Sequence, residues 1–201
     1  MPDVPIRPAK RGDAAAVAIL ADIAGYGLPA WIWTNSPKRG AGESVPAFGR
    51  RHFLSDDGNL SLRNTYIAEV DGDVAGMLLG YRQPEAPAPV DDTVPELIRP
   101  LLALEALAPG SWYVNVLAVF EEYRGQGIGA ALLAKAEGLA AETSARTMSI
   151  IVEDDNDGAM ALYERTGYER VASRPLCQLS RQRPGQRMDS VGQGRSQMTR
   201  S

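Results

Sequence analysis

The run from Trp112 to Phe120 is nearly continuous apolar sequence of strand length, and after three intervening residues stands Arg124-Gly125-Gln126-Gly127-Ile128-Gly129-Ala130. A strand that is apolar on both faces belongs in the middle of a sheet, not at its edge. The segment from Gly127 to about Glu142 reads as a helix, so the order is strand, glycine turn, helix. In that arrangement free backbone N–H groups and the positive end of the helix dipole converge on the turn. Three glycines remove the Cβ atoms that would hold an anion away from the backbone, and Arg124 can add a charge-assisted bond to a phosphate. A glycine turn with no ligand is the plain alternative. Its place directly behind an apolar strand favours a phosphate-bearing ligand.

The same residues satisfy a second pattern. Gly125, Gly127 and Ala130 fit G-x-G-x-x-G/A, and Glu153 ends the next strand, as in a dinucleotide-binding oxidoreductase. Two features weigh against it. Glu121 to Arg124 intervene where that fingerprint begins at once, and only about 70 residues follow the turn.

Elsewhere, Val4 to Pro8 reads as an edge strand, because its prolines cannot serve a central ladder. A helix follows from Asp13 to about Ala24 and ends at Gly25 and Gly27, with a further helix near Ser44 to Leu54. Asn64 to Val70 and Val74 to Tyr81 are β-rich runs around Asp71-Gly72-Asp73, a hairpin signal. Gln83 to Asp92 contains three prolines and reads as a loop. Leu97, Leu101, Leu104 and Leu107 place a helix over 94–107. Beyond the glycine turn come a strand at Thr147 to Val152, a helix at Asn156 to Arg165 and a strand at Tyr168 to Ala172. A hairpin followed by alternating strands and helices implies an α/β fold with a sheet of mixed direction.

At 201 residues the chain suits one domain, expected over 1–180. Six arginines stand against Asp189 in residues 174–201, a local balance of +5 that leaves −9 for residues 1–173 out of a net −4. The end of the chain has no aromatic platform for bases, so nucleic acid is not the expected partner, and 181–201 reads as a basic disordered tail. No apolar run is long enough for a membrane span. Ala14 to Ala24 follows Lys10 and Arg11, but Asp13 and Asp22 break it, and it fits an amphipathic helix capped by Asp13 better than a secretory signal. The one cysteine, Cys177, cannot form an internal disulfide, which suits a reducing, cytoplasmic setting.

The chain resembles the GNAT acetyltransferase superfamily. The signature Q/R-x-x-G-x-G/A is met by Arg124, Gly127 and Gly129, behind a strand reading Leu117-Ala118-Val119. A second signature is met by Asn156, Ala159, Leu162 and Tyr163, followed by Gly167-Tyr168, and Ile6-Arg7-Pro8-Ala9 with Asp13-Ala14 looks like the family's opening. The resemblance spans about residues 4–173 and implies a single-domain α/β fold with a mixed, mostly antiparallel sheet flanked by helices.

It also implies acetyl-CoA as cosubstrate, no metal, and a small-molecule or peptide amine as acceptor, in a monomer or homodimer. The amides of Gly125, Gln126, Gly127, Ile128, Gly129 and Ala130 would bind the coenzyme pyrophosphate with Arg124. The backbone of Leu117, Ala118 and Val119 would pair with the pantetheine arm, and Tyr163 would protonate the departing sulfur. Asn156 is open between helix capping and coenzyme contact. The family's glutamate in the strand before the asparagine falls here on Ile151, which leaves Glu153, Glu121 and Glu105 as candidates for the general base, with His52 behind them. A non-catalytic acyl-CoA sensor is the alternative that this gap keeps open. The acceptor pocket is expected from Gly25 to Trp33, Gln83 to Leu107, Tyr113 and Asn115, with Trp31 and Trp33 as candidate lining.

Overall fold

The computed structural model of the chain describes residues 4–87, 89, 94–175 and 194–200. The strands are β1 (Ile6–Pro8), β2 (Thr65–Val70), β3 (Asp73–Arg82), β4 (Trp112–Val119), β5 (Met148–Glu153), β6 (Glu169–Pro175) and β7 (Gly194–Arg200). The α-helices are α1 (Ala14–Ala24), α2 (Leu28–Thr34), α3 (Val45–Phe53), α4 (Arg99–Glu105), α5 (Ile128–Glu142) and α6 (Asp157–Arg165). The seven strands follow the order β1-β2-β3-β4-β5-β7-β6 in a mostly antiparallel sheet flanked by helices. The chain divides within β4 into two compact units, Met1–Tyr81 with Val114–Glu142 and Arg82–Tyr113 with Thr143–Ser201.

In the first unit, β1 pairs antiparallel with β2 at the sheet edge, with Ile6 opposite Ala68 and Pro8 opposite Tyr66. The β2–β3 hairpin turns at Asp71 (φ 52°) and Gly72 (φ 88°), the left-handed pair a tight two-residue turn demands. Val17 and Leu20 of α1, Trp33 of α2 and Phe48 and Phe53 of α3 pack with Ile67, Met77, Leu79, Val116 and Ala118 of the strands. Gly76 of β3 makes room for β4, since a Cβ there would stand 2.7 Å from the Ala118 carbonyl oxygen. Asp13 precedes α1 but does not cap it with its side chain. Its carboxylate turns back to accept from the Lys10 amide and from Arg7. The separate helix α2 begins directly after Gly27, which the sequence marks as the end of the preceding helix. Pro29 occupies the first turn of α2, where no N–H is needed.

In the second unit, β7 lies between β5 and β6 and pairs antiparallel with both. Residues 194–200, expected to belong to a disordered tail over 181–201 beyond a fold ending at 180, are a strand, while residues 181–193 lie outside the described residues. Little in the local residues signals it, because Met198 is the one large apolar residue in a run of polar side chains. Met198 and Gln197 are both fully buried, and the backbone of β7 finds ladder partners on either side. Cys177 and the candidate strand at 176–180 lie outside the described residues. Among the described residues no single helix is long and apolar enough to cross a membrane.

Candidate active site

The glycine turn is built from one continuous segment of the first unit. After β4 the chain makes a single 3-10 turn, Glu121–Tyr123, and Gly125 (φ 76°) and Gly127 (φ 82°) then take the left-handed conformation before α5 begins at Ile128. Only glycine adopts these angles without strain. The space a Cβ would fill at Gly125 is open to beyond 4 Å. Arg124 donates from Nε to the Val119 carbonyl at 3.2 Å, and Gln126 donates to the Glu122 carbonyl at 3.4 Å, so side chains of the turn brace it against the end of the strand. Ile128, Leu132, Leu133, Ala136, Leu139 and Ala140 form the buried stripe that fixes α5. Residues 124–127 are exposed at the start of this helix, whose first N–H groups have no intrahelical acceptors. The residues present therefore fit an anionic group at this position.

Asn156 and Tyr163 belong to the second unit. Asn156 is the N-cap of α6, with its side-chain oxygen accepting from the Ala159 amide at 3.1 Å. That leaves its amide nitrogen as a donor. Tyr163 is 4% exposed, and its ring lies 5.8 Å from that of Tyr168, whose hydroxyl faces the Met148 sulfur at 3.9 Å. Tyr163 thus packs on the side of β5 that carries Met148.

The opposite side of β5 carries Ser149 and Ile151, and on β7 their register partners Thr199 and Gln197. The Ser149 hydroxyl lies 2.7 Å from that of Ser111, which directly precedes β4. Two residues further along, Tyr113 donates its hydroxyl to the carboxylate of Glu105, the last residue of α4. Burial pushes the Glu105 carboxyl up to about 7, against the Tyr113 bond, which favours the ionised form. Glu105 was one of several acidic residues in the sequence with nothing to single it out. Its place at the end of a leucine-periodic helix was visible, but its bond to Tyr113 was not.

The other candidates are placed otherwise. Glu121 is exposed in the 3-10 turn, and Glu153 ends β5 half-buried. His52 stacks on Phe48 and meets Phe53 edge-on, and burial, with Lys38 and Arg51 nearby, lowers its pKa. Trp33 is not a pocket lining: it is 6% exposed and fills the space over Gly49, where a Cβ would come within 2.5 Å of its ring. Among the described residues no cluster of three or more His, Cys, Asp or Glu side chains could hold a metal ion.

Residues 28–168 match the Acetyltransferase (GNAT) family, and the chain belongs to that family of acyltransferases, which use acetyl-CoA. With that membership the dinucleotide reading of the glycines is set aside. The chain is similar to N-alpha-acetyltransferase 30 of Schizosaccharomyces pombe, 38% identical over 58 residues, which is 29% of this chain and 39% of that protein. Its fold is similar to a crystal structure of an acetyltransferase, with a TM-score of 0.65 at 20% identity over 98% of each chain. It is also similar to a chain in the NatC complex bound to Gag peptide and CoA, with a TM-score of 0.57 at 18% identity over 98% of this chain and 97% of the other.

Proposed function

We propose that the protein is an N-acetyltransferase that moves the acetyl group of acetyl-CoA to a primary amine of a small molecule or a peptide by direct attack. The observation that carries this reading is the turn Arg124–Gly127, whose two left-handed glycines open the backbone at the start of α5 directly behind β4. Backbone amides from Gly125 to Ala130 bind the pyrophosphate, and Arg124 adds positive charge beside it. The backbone of Leu117, Ala118 and Val119 pairs with the amide-rich pantetheine as if with another strand. Tyr163 donates a proton to the leaving sulfur, and the free amide nitrogen of Asn156 contacts the coenzyme. The reaction takes place in the cytoplasm, a setting that suits a chain with one cysteine.

Calorimetry with acetyl-CoA tests the site. Gly127→Glu puts bulk, charge and an unfavourable φ where the pyrophosphate binds, so affinity should fall at least tenfold by about 1.4 kcal/mol or more. A folded Gly127→Glu protein with unchanged affinity overturns the assignment. Thiol release from acetyl-CoA across agmatine, spermidine, lysine and peptides with free α-amino groups tests the transfer and sorts small amines from peptides.

A further inference from the structure

The first unit has an open cleft of about 390 Å³ where the end of β1, the end of α3 and the 3-10 turn Leu62–Asn64 meet. Its apolar wall comes from Phe53, the last residue of α3, from Leu54, which follows that helix, and from Leu62. Phe53 is 3% exposed and meets Trp33 edge-on at 6.3 Å, so this wall is continuous with the core of the unit. Lys10, Arg11 and Arg63 also line the cleft, with Asp56 as the one carboxylate. Three cations against one carboxylate leave the lining at +2, in a chain whose net charge is −4. A small space with an apolar wall and surplus positive charge attracts a negatively charged molecule that also has apolar surface to bury.

Bonds of the fold hold the walls in place without a ligand. The Ala9 amide donates to the Thr65 carbonyl at 2.9 Å and the Lys10 amide to the Asp13 carboxylate at 2.7 Å, which fixes the segment that carries Lys10 and Arg11. Arg63 donates to the Gly58 carbonyl at 2.7 Å and braces the loop between α3 and β2. The Arg11 side chain is exposed and bonds none of the described residues. A guanidinium with its donors unused matches the paired oxygens of a carboxylate or a phosphate. The volume lies near the lower end of small-molecule sites, which run from about 300 to 1,000 Å³, so the apolar body it takes is small.

The cleft stands apart from the glycine turn. It opens where β1 ends and β2 begins, and Thr65 at the start of β2 pairs with Leu79 of β3. The glycine turn leaves the sheet beyond Phe120, whose amide donates to the Ala75 carbonyl at 2.9 Å. The neighbouring Gly76 pairs with Ala68, towards the other end of β2. The two places therefore lie at opposite ends of the strands of the first unit. We propose that the cleft between Arg11, Phe53 and Arg63 is a second binding site, for a small organic anion with an apolar body, distinct from the site at the glycine turn. The two guanidinium groups and the Lys10 ammonium hold the carboxylate or phosphate head, and Phe53, Leu54 and Leu62 cover the body. The site stands whether or not the protein transfers an acetyl group.

The test uses the full chain and four probes: 3-phenylpropionate, phenyl phosphate, the neutral 3-phenylpropanamide and inorganic phosphate. In two-dimensional NMR, at least one of the two ring-bearing anions should shift the methyl signals of Leu54 and Leu62, with a Kd of about 1 mM or tighter. Which of them binds better identifies the head group, and either result supports the site. The neutral amide should bind at least about fivefold more weakly, and inorganic phosphate should leave those methyls unmoved. Arg11→Gln combined with Arg63→Gln should weaken the better anion by roughly fivefold or more, with acetyl-CoA affinity unchanged. If that double variant does not fold, Arg11→Gln alone, which breaks no bond of the fold, decides by the same comparison. Acetyl-CoA at saturation should not displace the probe. No binding of either anion at about 10 mM overturns the proposal, and so do shifts confined to other residues. Equal binding of the neutral amide would show an apolar surface only, equal shifts with inorganic phosphate would show loose attraction to exposed cations, and displacement by acetyl-CoA would show one shared site. Each of these three results also overturns it.

Discussion

The Arg7 guanidinium grips the Asp13 carboxylate with both nitrogens, at 2.6 and 3.1 Å, and so ties the edge strand β1 to the start of α1. Asp13 is 5% exposed, and it also accepts from the Lys10 amide at 2.7 Å. Arg7 reaches Glu69 of β2 at 2.7 Å, so one side chain joins three segments. Burial alone would raise the Asp13 carboxyl, but the Arg7 and Lys10 bonds outweigh it and hold it below its ordinary 3.8.

Arg7→Ala leaves that carboxylate buried without its counter-charge. Removing one partner of a buried pair costs about 3–5 kcal/mol, and because Arg7 is 25% exposed the loss here should be nearer 2. For a chain of this length that lowers Tm by about 4–8 °C at pH 7. A depressed carboxylate stabilises the fold above its unfolded pKa and loses that contribution as pH falls through its folded pKa. The Tm gap between wild type and Arg7→Ala should therefore narrow below about pH 4. A gap that stays constant down to pH 2.5 would show that the pair contributes packing and not charge.

The second prediction concerns the end of the chain. Truncation after Pro184 removes β7, which strips β5 and β6 of a shared neighbour and takes the fully buried Met198 out of the core. The truncated protein should show a lower Tm or precipitate, because two open strand edges invite pairing between molecules. Met198→Ala isolates the packing contribution and should cost roughly 2–5 kcal/mol. Wild-type Tm in the truncated chain would show that β7 adds no stability.

The parts of the fold that rest on local chemistry were legible in the sequence. Asp71-Gly72 dictates its hairpin through φ, Asn156 caps α6 through its own side chain, and Gly125 and Gly127 mark the turn before α5. What was not legible depends on partners distant in sequence. β7 has almost no apolar period and owes its place to ladders with β5 and β6, some 20 to 50 residues earlier. Trp33 looked like a site residue until Gly49 supplied the cavity that buries it. The raised carboxyl of Glu105 arises from burial, which outweighs its bond to Tyr113, and spacing reports neither.

The third prediction follows from the raised carboxyl of Glu105. Its folded pKa of about 7 lies above the ordinary 4.5, so the folded state binds the proton more tightly than the unfolded chain does. Stability tied to this group is complete below about pH 4.5 and is lost as pH rises through about 7. With about 1.4 kcal/mol per pKa unit and some solvent screening, the loss should be of the order of 2 kcal/mol. Glu105→Gln carries no charge to bury, so its Tm should fall less than that of wild type between pH 5 and pH 8. Parallel Tm curves for the two proteins over that range would mean that Glu105 ionises in the fold as freely as in water.

The last prediction concerns Tyr163, seven residues after Asn156 and so two turns along from it. A phenol has a pKa of about 10 and is protonated at neutral pH, while a thiol of pKa about 8.5 leaves as an anion that a nearby donor stabilises. The ring is 4% exposed and packs 5.8 Å from Tyr168, so Tyr163→Phe keeps the buried shape and removes only the hydroxyl. General acid catalysis is typically worth about a hundredfold or more, and even with water as a partial substitute kcat should fall by at least about tenfold. Acetyl-CoA affinity should change little, and Tm should stay within about 2–4 °C, the shift that 1 kcal/mol produces in a chain of this size. The two parameters separate the roles of the ring and the hydroxyl. If affinity drops while kcat at saturation holds, the tyrosine is a packing or binding group. If neither parameter moves, the proton that reaches the sulfur comes from another donor.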